Sequence, residues 1–175
     1  PRAMGPAVHS TIAALPSLLQ PGDLLVVNNT RVFPARLIGR RVPSGGAVEC
    51  LLVARLDGEH QPDERWEALV HPGQKLKPGS RIVFEGAVTL HGEILERRFF
   101  GRRTVRLWTA EGISVREAIE RIGHIPLPPY INEPLADPER YQTVYAAQEG
   151  SAAAPTAGLH FTPELLARFD VERVT

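Results

Sequence analysis

Cysteine is almost missing from this chain, with Cys50 the only one. A single cysteine excludes an internal disulfide framework and suits a reducing compartment. It lies in the apolar run 48–53, so it reads as a small buried hydrophobe rather than a reactive thiol. Long apolar runs are also lacking. None approaches the length of a membrane span, and no positive-then-apolar signal opens the sequence, so the expected address is the cytoplasm, away from membranes. The motifs of several common chemistries are absent: no Walker loop, no Gly-x-Gly-x-x-Gly, no paired-cysteine zinc pattern, no Gly-x-Ser-x-Gly elbow. The six histidines, His9, His60, His71, His91, His124 and His160, are scattered, with none at metal-ligand spacing to another. No metal is expected. Net charge is missing as well, since 20 basic residues meet 20 acidic ones.

That neutrality hides a split. Residues 31–110 hold fourteen Lys and Arg against nine Asp and Glu, and the rest of the chain carries the opposite imbalance. A basic module on an acidic body suits an RNA-binding enzyme, and equally a solvated sheet surface. At 175 residues the chain fits one ordinary domain or two small ones and buries a core without staples.

In chain order, residues 1–6 show no periodicity, and Leu15 to Leu19 predict at most a short apolar helix. Pro21-Gly22 marks a turn before the apolar run Asp23 to Asn28, which predicts a buried strand of the kind found in parallel sheets, with amides at its carboxyl end. Ligands gather outside such ends in open α/β sheets. Asn28, Asn29, Thr30 and Arg31 arrive there together; the competing reading is that the two asparagines merely form a turn.

Beyond Ala35 the pattern shortens. Strands are predicted over Arg36–Val42, Ala47–Leu56, Arg65–His71, Ser80–Phe84, Val88–Glu96 and Arg102–Thr109, separated by Gly/Pro turns that include Asp57-Gly58. Short strands at this spacing argue an antiparallel barrel or sandwich. Alternation places Arg102, Thr104, Arg106 and Trp108 on one face and Arg103, Val105 and Leu107 on the other. Arg97, Arg98, Phe99 and Phe100 form a corner that either stacks on RNA bases or, as hairpin tips more often do, folds its aromatics inward. A capping box, Ser114 to Glu117, then starts a helix whose face is Val115, Ala118, Ile119 and Ile122, with Gly123 as its stop. The stiff connector Pro126–Tyr130 follows. The expected fold is an α/β (α+β) body, residues 1–35 and 126–175, interrupted by a small antiparallel β-barrel domain over 36–125 that ends in a short helix.

The stretch Tyr141 to Thr162 is lean in its second half, where residues 150–158 are small or proline. Few side chains there can fill a core, so the loop suits close approach of a ligand to backbone. It delivers His160 just before Thr162, Pro163 and Glu164, which form a strong helix start. Loop and helix start together form a place for an anion, or an ordinary capped helix after a surface loop.

Four segments resemble one family. Gly22–Leu37, Gly123–Ile131, Glu139–Tyr145 and Ala153–Thr162, in that order, are similar to S-adenosylmethionine:tRNA ribosyltransferase-isomerases of queuosine biosynthesis. Family members extend beyond both ends of this match, so the chain is expected to be a fragment of a longer protein. The resemblance implies transfer of the ribosyl part of S-adenosylmethionine to 7-aminomethyl-7-deazaguanine in a tRNA anticodon, with isomerisation to epoxyqueuosine and release of adenine and methionine. S-adenosylmethionine is then a co-substrate, no further cofactor is needed, and a monomer is expected.

That chemistry needs a neutral amine, a base for the protons beside the sulfonium, and stabilisation of the leaving adenine. Histidine suits such proton traffic near neutral pH, which makes His160 the candidate acid or base; the alternative is a histidine that only holds its loop. Thr156, Gly158 and the N–H groups before Glu164 are candidates for the methionine carboxylate or a phosphate. Asn28, Asn29, Thr30 and Arg31 are candidates for the deazaguanine edge or the ribose, with Arg31 alternatively on a phosphate. Tyr141 and Tyr145 stack on a base or simply pack. The competing class is a non-catalytic RNA-binding barrel.

Overall fold

The computed structural model describes residues 8–56, 63–110, 112–128, 131, 135 and 137–169. The expected turn at Asp57-Gly58, residues 1–6 and the Pro129-Tyr130 end of the connector lie outside these. A one-turn helix, α1 (Leu15–Leu18), precedes the short strand β1 (Thr30–Val32). Six strands then close into an antiparallel barrel: β2 (Arg36–Val42), β3 (Ala47–Arg55), β4 (Asp63–His71), β5 (Arg81–Glu85), β6 (Thr89–Arg97) and β7 (Arg102–Thr109). Their order around the barrel is β2-β3-β4-β7-β6-β5. Helix α2 (Val115–Ile122) follows, then strand β8 (Gln148–Ser151), which pairs in parallel with β1, and a single turn, α3 (Pro163–Leu166). Among the described residues no helix is long and apolar enough to cross a membrane.

Alternation builds the barrel. Leu37, Cys50, Leu52, Phe84, Leu90, Ile94, Val105 and Leu107 are fully buried, while their strand neighbours face outward. A six-stranded barrel is narrow, so its largest core side chain needs small neighbours. Phe84 finds one in Gly39, where an added Cβ would collide with the Phe84 ring and the Val83 carbonyl. Cys50 is the small buried hydrophobe expected, and desolvation pushes its thiol up to about 12.

The two mouths of the barrel are closed differently. At the lower mouth, where β6 turns into β7, Arg103 sits on the inward face of β7 at 3% exposure. It donates to the carbonyls of Gly101 and Arg102 (both 2.9 Å), of Gly73 (2.9 Å) and, more weakly, of Leu76 (3.4 Å). At the upper mouth Glu64 and Trp66 lie on the inward face of β4. A register shift between Leu52 and Ala54 on β3 sets Arg55 opposite Trp66. Such a bulge re-aims the side chains that follow it.

Helix α2 forms as its capping residue predicts, with Ser114 Oγ accepting from the Glu117 N–H at 3.1 Å. Val115, Ala118 and Ile119 are buried and Ile122 packs against them. Gly123 ends it for a reason other than left-handed backbone: its φ is −76°, and a Cβ there would strike the Pro34 carbonyl. Close packing against residue 34 requires glycine.

Two expectations are corrected. Residues 23–28 form no strand, and Leu24 and Val26 are 63% and 70% exposed. An apolar run becomes a strand only beside a partner, and β8 pairs further on, at Thr30–Val32. Asn28 instead makes the turn, its Oδ1 accepting from the Thr30 N–H at 2.9 Å and from the Thr30 hydroxyl. Second, Phe99 and Phe100 do not fold inward; they are 88% and 95% exposed. Arg103 already fills that mouth, and Phe100 adopts a left-handed φ of 55° that carries the tip away from the barrel.

Candidate functional site

Residues 28–31 run along the β1–β8 pair, where the Ala147 N–H donates to the Asn29 carbonyl at 2.8 Å and Arg31 lies in register with Glu149. The other edge of β1 is completed by a side chain. Gln142 Oε1 accepts from the Val32 N–H at 2.9 Å, and its amide donates to the Val32 carbonyl at 2.8 Å, as a neighbouring strand would. This double bond anchors residues 138–142 against β1 and opens a cleft of about 680 Å³ between them, the start of β2 and the end of α2.

Charge lines that cleft. Arg31 pairs with Glu139 across it, and Arg36 pairs with Glu49 at 2.8 Å while its buried Nε has no hydrogen-bond partner among the described residues. Glu149 holds Arg116, which also reaches Glu120 at 3.2 Å. His124 stands at the cleft wall, and its backbone exchanges hydrogen bonds with Arg36 at 2.8 and 3.0 Å. Arginines with displaceable carboxylate partners can accept an anionic group, and the released carboxylates then face any cation that arrives with it.

The candidate residues divide between two places. Arg31 lines the cleft, with Asn28, Asn29 and Thr30 leading into it along the same edge. Tyr141 is buried at the end of the turn Pro138–Tyr141. Thr156, Gly158 and His160 belong to a separate 3₁₀ stretch, Thr156–His160, that follows β8; His160 is exposed and is not among the residues lining the cleft. Gly158 is buried because its Cα sits against the Tyr145 hydroxyl and Thr143, leaving no room for a side chain. Burial raises the Tyr145 pKa above its ordinary value. Gly158 thus packs tightly on Tyr145.

The helix start after this loop is occupied by its own residues. Thr162 Oγ1 accepts from the Leu165 N–H at 3.2 Å, and α3 is a single turn. Hydrogen bonds from the Thr162 side chain and from its own backbone N–H hold the Glu164 carboxyl below its usual range. An arriving anion has to displace that carboxylate.

Arg36, His124 and Gln142 went unnoticed as candidates in the sequence. Arg36 reads as one more strand arginine, His124 as a residue after a helix stop, and Gln142 as a loop amide. Their convergence comes from the antiparallel bridge between Arg36 and His124 and from the pairing with β1, neither of which local pattern encodes.

These features define a class: an α/β body with a parallel strand pair, a closed six-stranded barrel, and a charged cleft where the two join. Within that class the chain belongs to the queuosine biosynthesis protein family, whose model matches residues 2–175. It is 51% identical over 179 aligned residues to the S-adenosylmethionine:tRNA ribosyltransferase-isomerase of Symbiobacterium thermophilum, covering 99% of this chain and 50% of that protein. The same-named protein of Desulfitobacterium hafniense is 53% identical over 95% of this chain and 47% of its own length. The chain therefore spans about half the length of the curated relatives it matches. A solved S-adenosylmethionine tRNA ribosyltransferase from Thermotoga maritima is 29% identical, covers 89% of this chain and 39% of its own, and superposes with a TM-score of 0.39.

Proposed function

We propose that the protein acts as an S-adenosylmethionine:tRNA ribosyltransferase-isomerase. It transfers the ribosyl group of S-adenosylmethionine to 7-aminomethyl-7-deazaguanine in a tRNA anticodon and isomerises it to epoxyqueuosine, releasing adenine and methionine. The observation that carries this reading is family membership across nearly the whole chain. The charged cleft supports it, because Arg31 and Arg36 suit the methionine carboxylate or a phosphate, and Glu139 and Glu149 suit the sulfonium. Asn28, Asn29 and Thr30 are assigned to the deazaguanine or ribose, and Tyr141 to holding the Pro138–Tyr141 turn that carries Glu139. Thr156 and Gly158 are assigned to the backbone surface that receives substrate, and His160 to proton transfer, its exposure leaving it accessible. Residues 36–125 are taken as a domain inserted into a body of residues 1–35 and 126–175; the β1–β8 pair and the Arg36–His124 bridge, which bracket the barrel, support those limits. A cytoplasmic monomer fits the reading.

The test is release of adenine and methionine by the full-length protein, with and without tRNA carrying the aminomethyl base. Release of both products only with the modified tRNA is expected. His160→Ala is expected to lower kcat at least about 100-fold, the scale of a general acid or base, with His124→Ala as the comparison. Tight tRNA binding without product release would leave a non-catalytic RNA-binding barrel instead.

A further inference from the structure

The upper mouth of the barrel holds a second, smaller cavity of about 180 Å³. Phe33, Trp66 and Ile119 wall it, Arg55 stands in it, and Phe33, Pro34, Glu120 and Glu149 are shared with the larger cleft. Its parts are held in place. The Phe33 and Trp66 rings lie 5.7 Å apart at 35°. The Trp66 indole N–H donates to Glu64 at 2.9 Å, and the same carboxylate faces Arg55 at 3.7 Å. Glu64 is only 5% exposed, and a buried carboxylate is tolerated when such partners satisfy it. Here it fixes both the plane of an aromatic wall and the place of a guanidinium.

What remains is unsatisfied. Among the described residues, Arg55 Nε and one of its terminal nitrogens are buried and find no hydrogen-bond partner. Buried N–H donors normally have acceptors, and those left over in a cavity point to a missing one. The space has the right scale, since an apolar cavity of about 150 Å³ takes up a benzene-sized ring. Flat aromatic walls and two adjacent donors select a flat ligand with an acceptor on its edge.

We propose that this cavity is a binding site for a purine-like base, stacked on Trp66 and accepting hydrogen bonds from Arg55. A purine-like base reaches it either as the adenine of S-adenosylmethionine or as the deazaguanine of the RNA. The choice between these two rests on the ribosyl-transfer reading; the site itself does not. The shared wall at Phe33 and Glu149 places the base next to the charged cleft, so one substrate can occupy both.

Trp66 and Trp108 are the two tryptophans of the chain, so Trp108→Phe leaves Trp66 as the reporter among these residues. In full-length protein carrying Trp108→Phe and any tryptophans outside this chain replaced by Phe, adenine and free 7-aminomethyl-7-deazaguanine are each titrated against tryptophan fluorescence. Saturable quenching by at least one is expected, weakened at least about 10-fold by Arg55→Met, as loss of a paired donor set implies. Competition by S-adenosylmethionine against the quenching ligand assigns the cavity to adenine; its absence assigns it to the deazaguanine. No saturable quenching by either base, or equal affinity in Arg55→Met protein whose circular dichroism is unchanged, overturns the proposal. Base binding without product release would keep the site and remove the transferase reading; product release without base quenching would do the reverse.

Discussion

The two mouths of the barrel each contain an inward arginine, and they differ in what those arginines touch. At the lower mouth Arg103 finds four backbone carbonyls and nothing else is needed. At the upper mouth Arg55 shares one carboxylate with Trp66 and keeps buried donors without acceptors. Both arginines lie on the inner face of a barrel strand, Arg103 at 3% exposure and the Arg55 side chain at 20%: one guanidinium completes the structure and the other leaves it incomplete. A satisfied buried charge is a plug. An unsatisfied one beside an aromatic wall is the mark of a place where something else fits.

The largest expected effect lies at the plug. Arg103→Met keeps the stem and removes the donors, leaving the Gly73, Leu76, Gly101 and Arg102 carbonyls to lose their shared partner. A loss of about 3 kcal/mol is expected, in the range for breaking a buried charged group away from its partners. Denaturant midpoints measure it, and Cys50 localises it. Burial holds that thiol up to about 12, so near pH 8 it is protonated and shielded in the native barrel. Its labelling by a thiol reagent then follows opening of the barrel, and should accelerate in Arg103→Met. Unchanged stability would mean that the lower mouth is closed by its apolar neighbours alone.

Much of this difference was invisible in the sequence, although the barrel was not. Strands β2 and β7 fall where the alternation puts them, and the others begin or end within two residues of expectation, because each hairpin carries its own turn residues and its own period of two. The alternation even sets Arg103 on the face of Val105 and Leu107. What it cannot show is the bulge at Val53, which moves Arg55 to the inner face, since an extra residue leaves no mark in composition. The run at 23–28 failed for the opposite reason: its apolar pattern is clear, but strand formation depends on a partner elsewhere. The candidate cleft was legible only in the segment that runs into β1. Asn28 to Arg31 come together as a segment, whereas Gln142 is brought in by a pairing 110 residues away and His124 meets Arg36 across 88 residues (124 − 36) after the helix stop at Gly123.

A middle-sized effect tests whether the upper mouth depends on its lid. Helix α2 lays Ile119 against the cavity and is capped by Ser114. Ser114→Ala removes the cap on the Glu117 N–H and should cost about 1 kcal/mol. If α2 shapes the cavity, base quenching of Trp66 weakens in this variant while the Cys50 labelling rate rises only slightly. Equal weakening in Arg103→Met would show that general loosening, not the lid, controls the cavity.

The smallest effect is expected at Arg55 itself, and it is the sharpest test of the contrast. Arg55→Met removes two buried donors that bond to nothing, which relieves a desolvation cost. It also takes the 3.7 Å cationic neighbour from Glu64, which costs something in return. Glu64 keeps the Trp66 indole N–H at 2.9 Å, so its carboxylate is not abandoned. The two changes oppose each other, and the net shift in stability should stay within about 1 kcal/mol. The two inward arginines would then differ by some 2 kcal/mol in what they contribute to folding, by difference of the two estimates. If Arg55→Met instead destabilises as much as Arg103→Met, the Glu64 pair is the plug of the upper mouth, and the unfilled donors are its by-product. If it is neutral while base binding is lost, the arginine is retained for the ligand and not for the barrel.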